Sequence, residues 1–246
     1  MKQYSVTRIG EFHTNHNEDY FISQEIGEDK LMIAVMDGCS MGTDSYFAST
    51  LIGKLLRKIG KAFHYKEFVS KDQHSCSEYL LLIMSELFTE LAELKNKLQL
   101  EREELLSTLI LGIINHQART GSILTIGDGL VCYNGQLIEY EQDDRPDYLG
   151  YHLAEAFPEW YEGEHQKLDL KNIEDLSILT DGLYTFKPFD SGEYKPMDQF
   201  EIMELLLINR QDQHSENMLK KKLLNIEKEM GLRPTDDLTI IRLIFE

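Results

Sequence analysis

The sequence predicts an α+β fold, a layered sandwich of antiparallel strands and paired helices. Two observations carry that reading. Strand-like and helix-like stretches come in blocks, in the order strands, two helices, strands, two helices and one strand, whereas a βαβ wheel alternates them singly. The run Leu31-Met32-Ile33-Ala34-Val35-Met36 shows no polar alternation, so it reads as a strand buried on both faces.

Taken in order, residues 2–9 alternate as a strand that Gly10 ends. A polar segment carrying His13, Thr14, His16, Glu18 and Asp19 leads into a second strand at Tyr20-Phe21-Ile22. Gly27-Glu28-Asp29 then turns the chain into the 31–36 strand. The far ends of a hairpin meet, so Glu18 or Asp19 is expected at the same sheet edge as Asp37. A helix is predicted over 44–63, with Asp44 as N-cap and Phe47, Leu51, Leu55 and Ile59 as its apolar stripe. A second is predicted over 77–104, with Leu80, Met84, Leu87, Leu91, Leu94 and Leu98 facing inward.

Strand patterns return at 107–115, 121–126, 129–133 and 136–140 and read as one antiparallel meander, with Asn134-Gly135 its strongest hairpin signal. Residues 141–166 read as loop, and 176–179 as a strand. A Pro-, Gly- and Asp-rich insertion over 187–199 precedes helices at 199–208 and 215–230. Gly231 is placed as a C-cap, Pro234 blocks continuation, and 238–244 is the closing strand. With no repeat, linker or low-complexity segment, a single domain over 1–246 is expected.

Composition narrows the function classes. The 246 residues suffice for one well-buried core. A net charge of -18, from 43 acids against 25 bases, argues against a nucleic-acid surface. Cys39, Cys76 and Cys132 lack both metal-ligand spacing and a disulfide framework, which fits a cytoplasmic location. No signal-like segment opens the chain, and no apolar run approaches the roughly 20 residues that span a bilayer. Neither nucleic acid nor membrane is expected as a partner.

The chemistry lies in carboxylates at strand ends beside glycines: Asp37-Gly38, Asp128-Gly129 and Asp181-Gly182, joined by Glu18, Asp19, Asp236 and Asp237. Acids pooled at one sheet edge repel one another unless cations neutralise them. All-oxygen ligands select Mg²⁺ or Mn²⁺. Two such ions about 3.5–4 Å apart share a water and lower its pKa enough to make it a nucleophile, an arrangement suited to phosphate ester hydrolysis.

The motifs Asn17-Glu18-Asp19-Tyr20-Phe21, Val35-Met36-Asp37-Gly38, Gly127-Asp128-Gly129, Thr180-Asp181-Gly182-Leu183 and Asp236-Asp237-Leu238-Thr239 come in an order that resembles the metal-dependent type 2C Ser/Thr protein phosphatases, over about residues 4 to 245. The resemblance implies a four-layer α-β-β-α sandwich with two central antiparallel sheets flanked by helix pairs. It implies that Asp37 bridges two ions, that the Gly38 carbonyl completes one of them, and that Asp181 and Asp236 hold the second. Glu18 and Asp19 then act at or near the site, and Asp128 matches the acid supporting a third, weaker ion. A phosphoprotein substrate and a cognate Ser/Thr kinase are the implied partners.

Three departures accompany the resemblance. Where the family carries a phosphate-gripping Arg, this chain has Thr14 between His13 and His16; His13 is the favoured replacement, as phosphate ligand or as general acid. The loop after Gly38 reads Cys39-Ser40-Met41-Gly42 in place of a glycine pair, and Cys39 is read as a packing residue. The third motif reads Asp128-Gly129-Leu130 in place of Asp-Ser-Arg. Trp160 and Tyr161 are open between a binding surface and the capping of a sheet edge. Two rival readings keep the site: a catalytically weak binding or regulatory relative, and a phosphatase of small phosphate esters.

Overall fold

In the computed structural model, which describes all residues except 72, 141–145 and 193, the both-face-buried strand is β3 (Lys30–Met36), and all seven of its residues are buried. Met32, Ala34 and Met36 face a core shared with helices α1 (Ser45–Ser70) and α2 (Cys76–Leu98). Leu31, Ile33 and Val35 face a separate core that contains Ile178, Ile241 and Leu243 of the other sheet. The period-2 geometry of a strand thus divides one apolar run between two cores.

β3 lies second in an antiparallel sheet of order β2-β3-β4-β5-β8, formed by β2 (Tyr20–Glu25), β4 (Leu109–Asn115), β5 (Thr120–Ile126) and β8 (Lys167–Lys171). The facing sheet has the order β1-β12-β9-β6-β7, with β1 (Lys2–Arg8), β6 (Gly129–Tyr133), β7 (Gln136–Tyr140), β9 (Asp175–Leu179) and β12 (Leu238–Ile244). Its outer face packs through Leu130, Leu179 and Ile240 on Ile202 of α5 (Gln199–Met203) and on Leu219 and Ile226 of α6 (Met218–Met230). Three core layers between four structural layers make the expected α-β-β-α sandwich.

Several elements differ from expectation, each for a physical reason. The predicted meander breaks at Gly127-Asp128-Gly129: β5 pairs with β4 and β8, whereas β6 pairs with β7 and β9 in the other sheet. Gly127 and Gly129 have φ of 85° and 131°, a backbone region open to glycine, and so allow this crossing. α2 stops at Leu98, where Gln99 turns left-handed, and residues 102–105 form a separate 3₁₀ turn. α1 runs on to Ser70. Its buried stripe is centred on Ala48, Ile52, Leu55, Leu56 and Ile59, with Phe47 and Leu51 only partly covered. Asp44 occupies the N-cap position without a capping side-chain bond.

The 141–166 segment, read as loop, holds α3 (Leu149–His152) and α4 (Phe157–Gly163), and the edge strand β8 follows it; residues 141–145 lie outside the described structure. Trp160 packs on Phe88 of α2 at 4.6 Å between ring centroids, so it belongs to the core and not to a binding surface. Within the 187–199 insertion, Phe186–Pro188 (β10) pairs with Leu232–Pro234 (β11).

α5 widens into a π-turn over Glu204–Ile208. Arg242 of β12, fully buried, explains how that end is held. It donates to the carbonyls of Leu206, Ile208 and Asn209 and forms a two-pronged bond to Asp175 at 2.8 and 2.9 Å.

Candidate functional site

Both sheets bring acids to one edge. In the β2-β3 hairpin Tyr20 stands opposite Met36, so Asp19 and Asp37 leave the sheet side by side. In the other sheet Leu179 stands opposite both Leu130 and Ile240, which aligns the end of β9 with the starts of β6 and β12. Asp181, Asp128 and Asp236 follow from that register.

Backbone contacts hold each group together, and the Glu18 N–H bond to Asp237 and the Thr180 hydroxyl bond to Asp19 join the two. Gly38 donates to the Glu18 carbonyl at 3.2 Å, and Thr180 donates to the Thr239 carbonyl at 3.1 Å. A Cβ on Gly182 would lie 1.9 Å from the Asp237 carbonyl oxygen, so only glycine lets these strands approach here.

The electrostatics follow from this crowding. Burial, with the charges of Asp19, Asp181, Asp236 and Asp128, holds Asp37 well above the usual carboxylate range. Burial pushes Asp19 up to about 8, against hydrogen bonds from Thr180 and Thr239 and with added repulsion from Asp237 and Asp181. Burial, together with Asp128 and Asp236, pushes Asp181 up to about 7. Asp128 and Asp236 are also raised, first by burial.

Asp19 Oδ2 accepts from Thr180 at 2.8 Å, but Asp19 Oδ1 and Asp181 Oδ1 are buried with no hydrogen-bond partner. Unpaired buried carboxylate oxygens facing other acids are what a divalent cation satisfies, and the donor set is all oxygen. Among the described residues, no three His, Cys, Asp or Glu side chains converge tightly enough to encage an ion alone.

Two acids have other occupations. Glu18 accepts from the hydroxyls of Ser40 at 2.8 Å and Ser45 at 2.5 Å, so its carboxylate is turned toward the start of α1. Asp237, whose side chain has no exposed surface, accepts from the N–H of Gly10 at 2.6 Å and from that of Glu18 at 2.5 Å. It clips the N-terminal loop onto β12, whereas the side chain of its neighbour Asp236 is 39% exposed at the acidic edge. The resemblance assigns the ligand role to Asp236, whereas nothing local in the sequence signals the clip that Asp237 makes.

His13 stands where the acids meet solvent. Its Nδ1 is 3.0 Å from Asp237, and its Nε2 is 3.6 Å from Asp236 and 3.9 Å from Glu18. Burial lowers its pKa, but the Asp237, Glu18 and Asp236 carboxylates outweigh that and raise it. His16 stacks on Tyr46 at 4.3 Å and Thr14 is exposed, so both flank His13 without joining the acids. Cys39 is buried with Leu106 and Tyr148, as a packing residue.

A family model described as protein phosphatase 2C matches residues 12–224. The chain belongs to the protein phosphatase 2C family. Solved protein phosphatase 2C structures share its fold. A bacterial serine phosphatase is 15% identical, with a TM-score of 0.62 over 100% of this chain and 98% of the other. The serine/threonine phosphatase Stp1 from Staphylococcus aureus is 14% identical, with a TM-score of 0.62 over 100% and 96%. A structure of the phosphatase domain and a regulatory-domain fragment of SpoIIE from Bacillus subtilis is 16% identical, with a TM-score of 0.60 over 98% and 62%. Among curated proteins no sequence matches the chain. Among the described residues no helix is long and apolar enough to cross a membrane.

Proposed function

We propose that this protein phosphatase 2C chain is a Mg²⁺- or Mn²⁺-dependent protein Ser/Thr phosphatase acting on phosphoserine and phosphothreonine in phosphoproteins, within cytoplasmic signalling opposite a cognate kinase. The observation that carries the reading is the convergence of Asp19, Asp37, Asp128, Asp181 and Asp236, with buried oxygens of Asp19 and Asp181 lacking any donor. Two ions held there, with a third more weakly held, would supply the missing positive charge and would lower the pKa of a water for direct attack on phosphorus.

Asp37 and the Gly38 carbonyl, with Asp181 and Asp236, are the assigned ligands. Asp19 and Glu18 support them through water, and Asp128 serves the third ion. His13 gives a proton to the departing Ser or Thr oxygen as the ester P–O bond breaks, and regains one from the attacking water. Thr14 and His16, at the mouth, meet the phosphoryl group and its flanking chain. Phosphate release from a phosphothreonine peptide with Mn²⁺ tests the reading, and full activity of an Asp37→Asn protein would overturn it.

One observation favours the second reading, a catalytically weak relative that binds phosphoproteins. His13 already lies against three carboxylates, where a phosphate-gripping Arg would point free. Mn²⁺ binding without release from phosphopeptides or small aryl phosphates would select it. Release from the aryl phosphate alone would select a small-ester phosphatase.

A further inference from the structure

We propose that the groove between the outer edge of β1 and helix α6 docks an extended, acidic segment of the phosphoprotein substrate, an inference that rests on the phosphatase reading. β1 is the last strand of its sheet, and among the described residues its outer side pairs with no strand. Such an edge presents unpaired N–H and C=O groups on which another extended chain can add.

A cavity of about 310 Å³ runs along this edge, with Ser5, Val6, Thr7 and Arg8 on one wall and α6 on the other. Val6, Phe21, Leu223 and Leu224 give it an apolar lining. Leu224 is 40% exposed on the wall of this groove. The apolar strip suits alternate side chains of a docked strand, and the β1 backbone holds its main chain without regard to sequence.

Charge selects the occupant. The lining carries Arg8, Lys220 and Arg233 against one acid, Glu227, in a chain whose net charge is -18. Glu227 is shared, meeting Arg8 Nη2 at 2.9 Å and Arg233 Nε at 2.9 Å, so it neutralises only one of the two guanidinium charges. Lys220 is exposed and, among the described residues, has no ion-pair partner. An acidic peptide is repelled by most of this surface and attracted here. A second copy of the chain brings the same -18 and is disfavoured.

Position ties the groove to the site. From Arg8 the chain passes directly to Gly10, which binds Asp237, and from Pro234 to Asp236. Glu11 donates to the Pro234 carbonyl at 3.0 Å and closes the two segments together. A strand lying on β1 therefore ends at the acidic edge, with the phosphoresidue at that end and its acidic neighbours over Lys220 and Arg233.

The test is fluorescence anisotropy of the full chain with a labelled phosphothreonine peptide flanked by Asp and Glu, beside a Lys-flanked peptide of equal length. Lys220→Glu and Leu224→Asp alter exposed side chains, and circular dichroism melts check that both variants stay folded. The expected result is affinity lowered about fivefold or more in each variant, tighter binding of the acidic peptide, and weakening by salt. Preference for the phosphopeptide over a small aryl phosphate in turnover falls in parallel.

Unchanged binding in both folded variants, or equal binding of the Lys-flanked peptide, overturns the proposal. A dimer seen by light scattering and lost in both variants overturns it in favour of a second copy. Groove-dependent peptide binding with no phosphate release from any substrate supports the docking surface and overturns the phosphatase reading instead. Release that ignores the groove variants does the reverse.

Discussion

Two neighbouring aspartates show how much a single side chain's surroundings decide. Asp237 spends both oxygens on backbone N–H groups, while Asp236 faces the other acids. Asp237→Ala leaves the buried Gly10 N–H and the half-buried Glu18 N–H unpaired and is expected to cost about 1–3 kcal/mol of stability. Asp236→Ala removes a repelling charge, so it should weaken Mn²⁺ binding with little loss of Tm. Thermal melts and Mn²⁺ titration of the two variants separate the roles, and a matched loss of Tm would refute them. His152 offers a pH test away from the acids. Its ring bridges Asp147 and Glu155 at 2.7 Å each; burial lowers its pKa, but the two carboxylates outweigh burial and raise it. A raised folded pKa gives stability that is fully present below about pH 6.5 and lost as pH rises through the folded value. His152→Ala is thus expected to lower Tm more near pH 6 than near pH 8.5, and equal losses would count against the bridge.

At the scale of elements, the site depends on strands that meet without side chains between them. Gly182 opens the turn after β9, and its Cα faces the Asp237 carbonyl at the start of β12. Gly182→Ala forces these segments apart, because the obstacle is backbone and cannot rotate away. Its expected signature is a Tm drop of several degrees together with weaker Mn²⁺ binding, measured by scanning calorimetry and titration; a fully native Tm would contradict this account. α2 is a contrasting case, since its start is written locally. Ser75 accepts from the Glu78 N–H while Glu78 reaches back to the Ser75 N–H. Its end was not legible in the same way: the leucine spacing continues to Leu98, but Gln99 turns left-handed and the charged residues beyond fold separately.

For the whole molecule, the two sheets act as a clamp that holds like charges together, so under the proposed function cation binding is expected to be linked to folding. Mn²⁺ at about 100 times its dissociation constant should add about 2.7 kcal/mol to stability, reversed by a chelator. Asp181→Asn should raise the Tm of the metal-free protein, by removing one repelling charge, and shrink the Mn²⁺ increment. A Tm that ignores both Mn²⁺ and chelator would argue against the acidic edge as a cation site. The opposite end of the sandwich solves its charge problem internally, with Arg242 and Asp175 paired in the core.

The sequence by itself determined what depends on near neighbours. Alternation and its absence mark the strands, Asn134-Gly135 marks a hairpin whose residues do adopt φ of 49° and 83°, and five acidic motifs stand in a recognisable order. The β2-β3 hairpin was enough to bring Glu18 or Asp19 to the edge that holds Asp37, because its register is set within one short turn, and the structure turns Asp19 rather than Glu18 toward the other acids. Sheet membership was not, since periodicity is the same whichever partner a strand finds. Residues 121–133 read equally well as one meander, and burial of both β5 and β6 between layers is what divides them between two sheets. The family register singled out Asp236 as the ligand, but that Asp237 clips the loop, and that His13 sits among three carboxylates, emerged only in the tertiary structure. Those outcomes depend on contacts between residues more than two hundred positions apart, which no local pattern encodes.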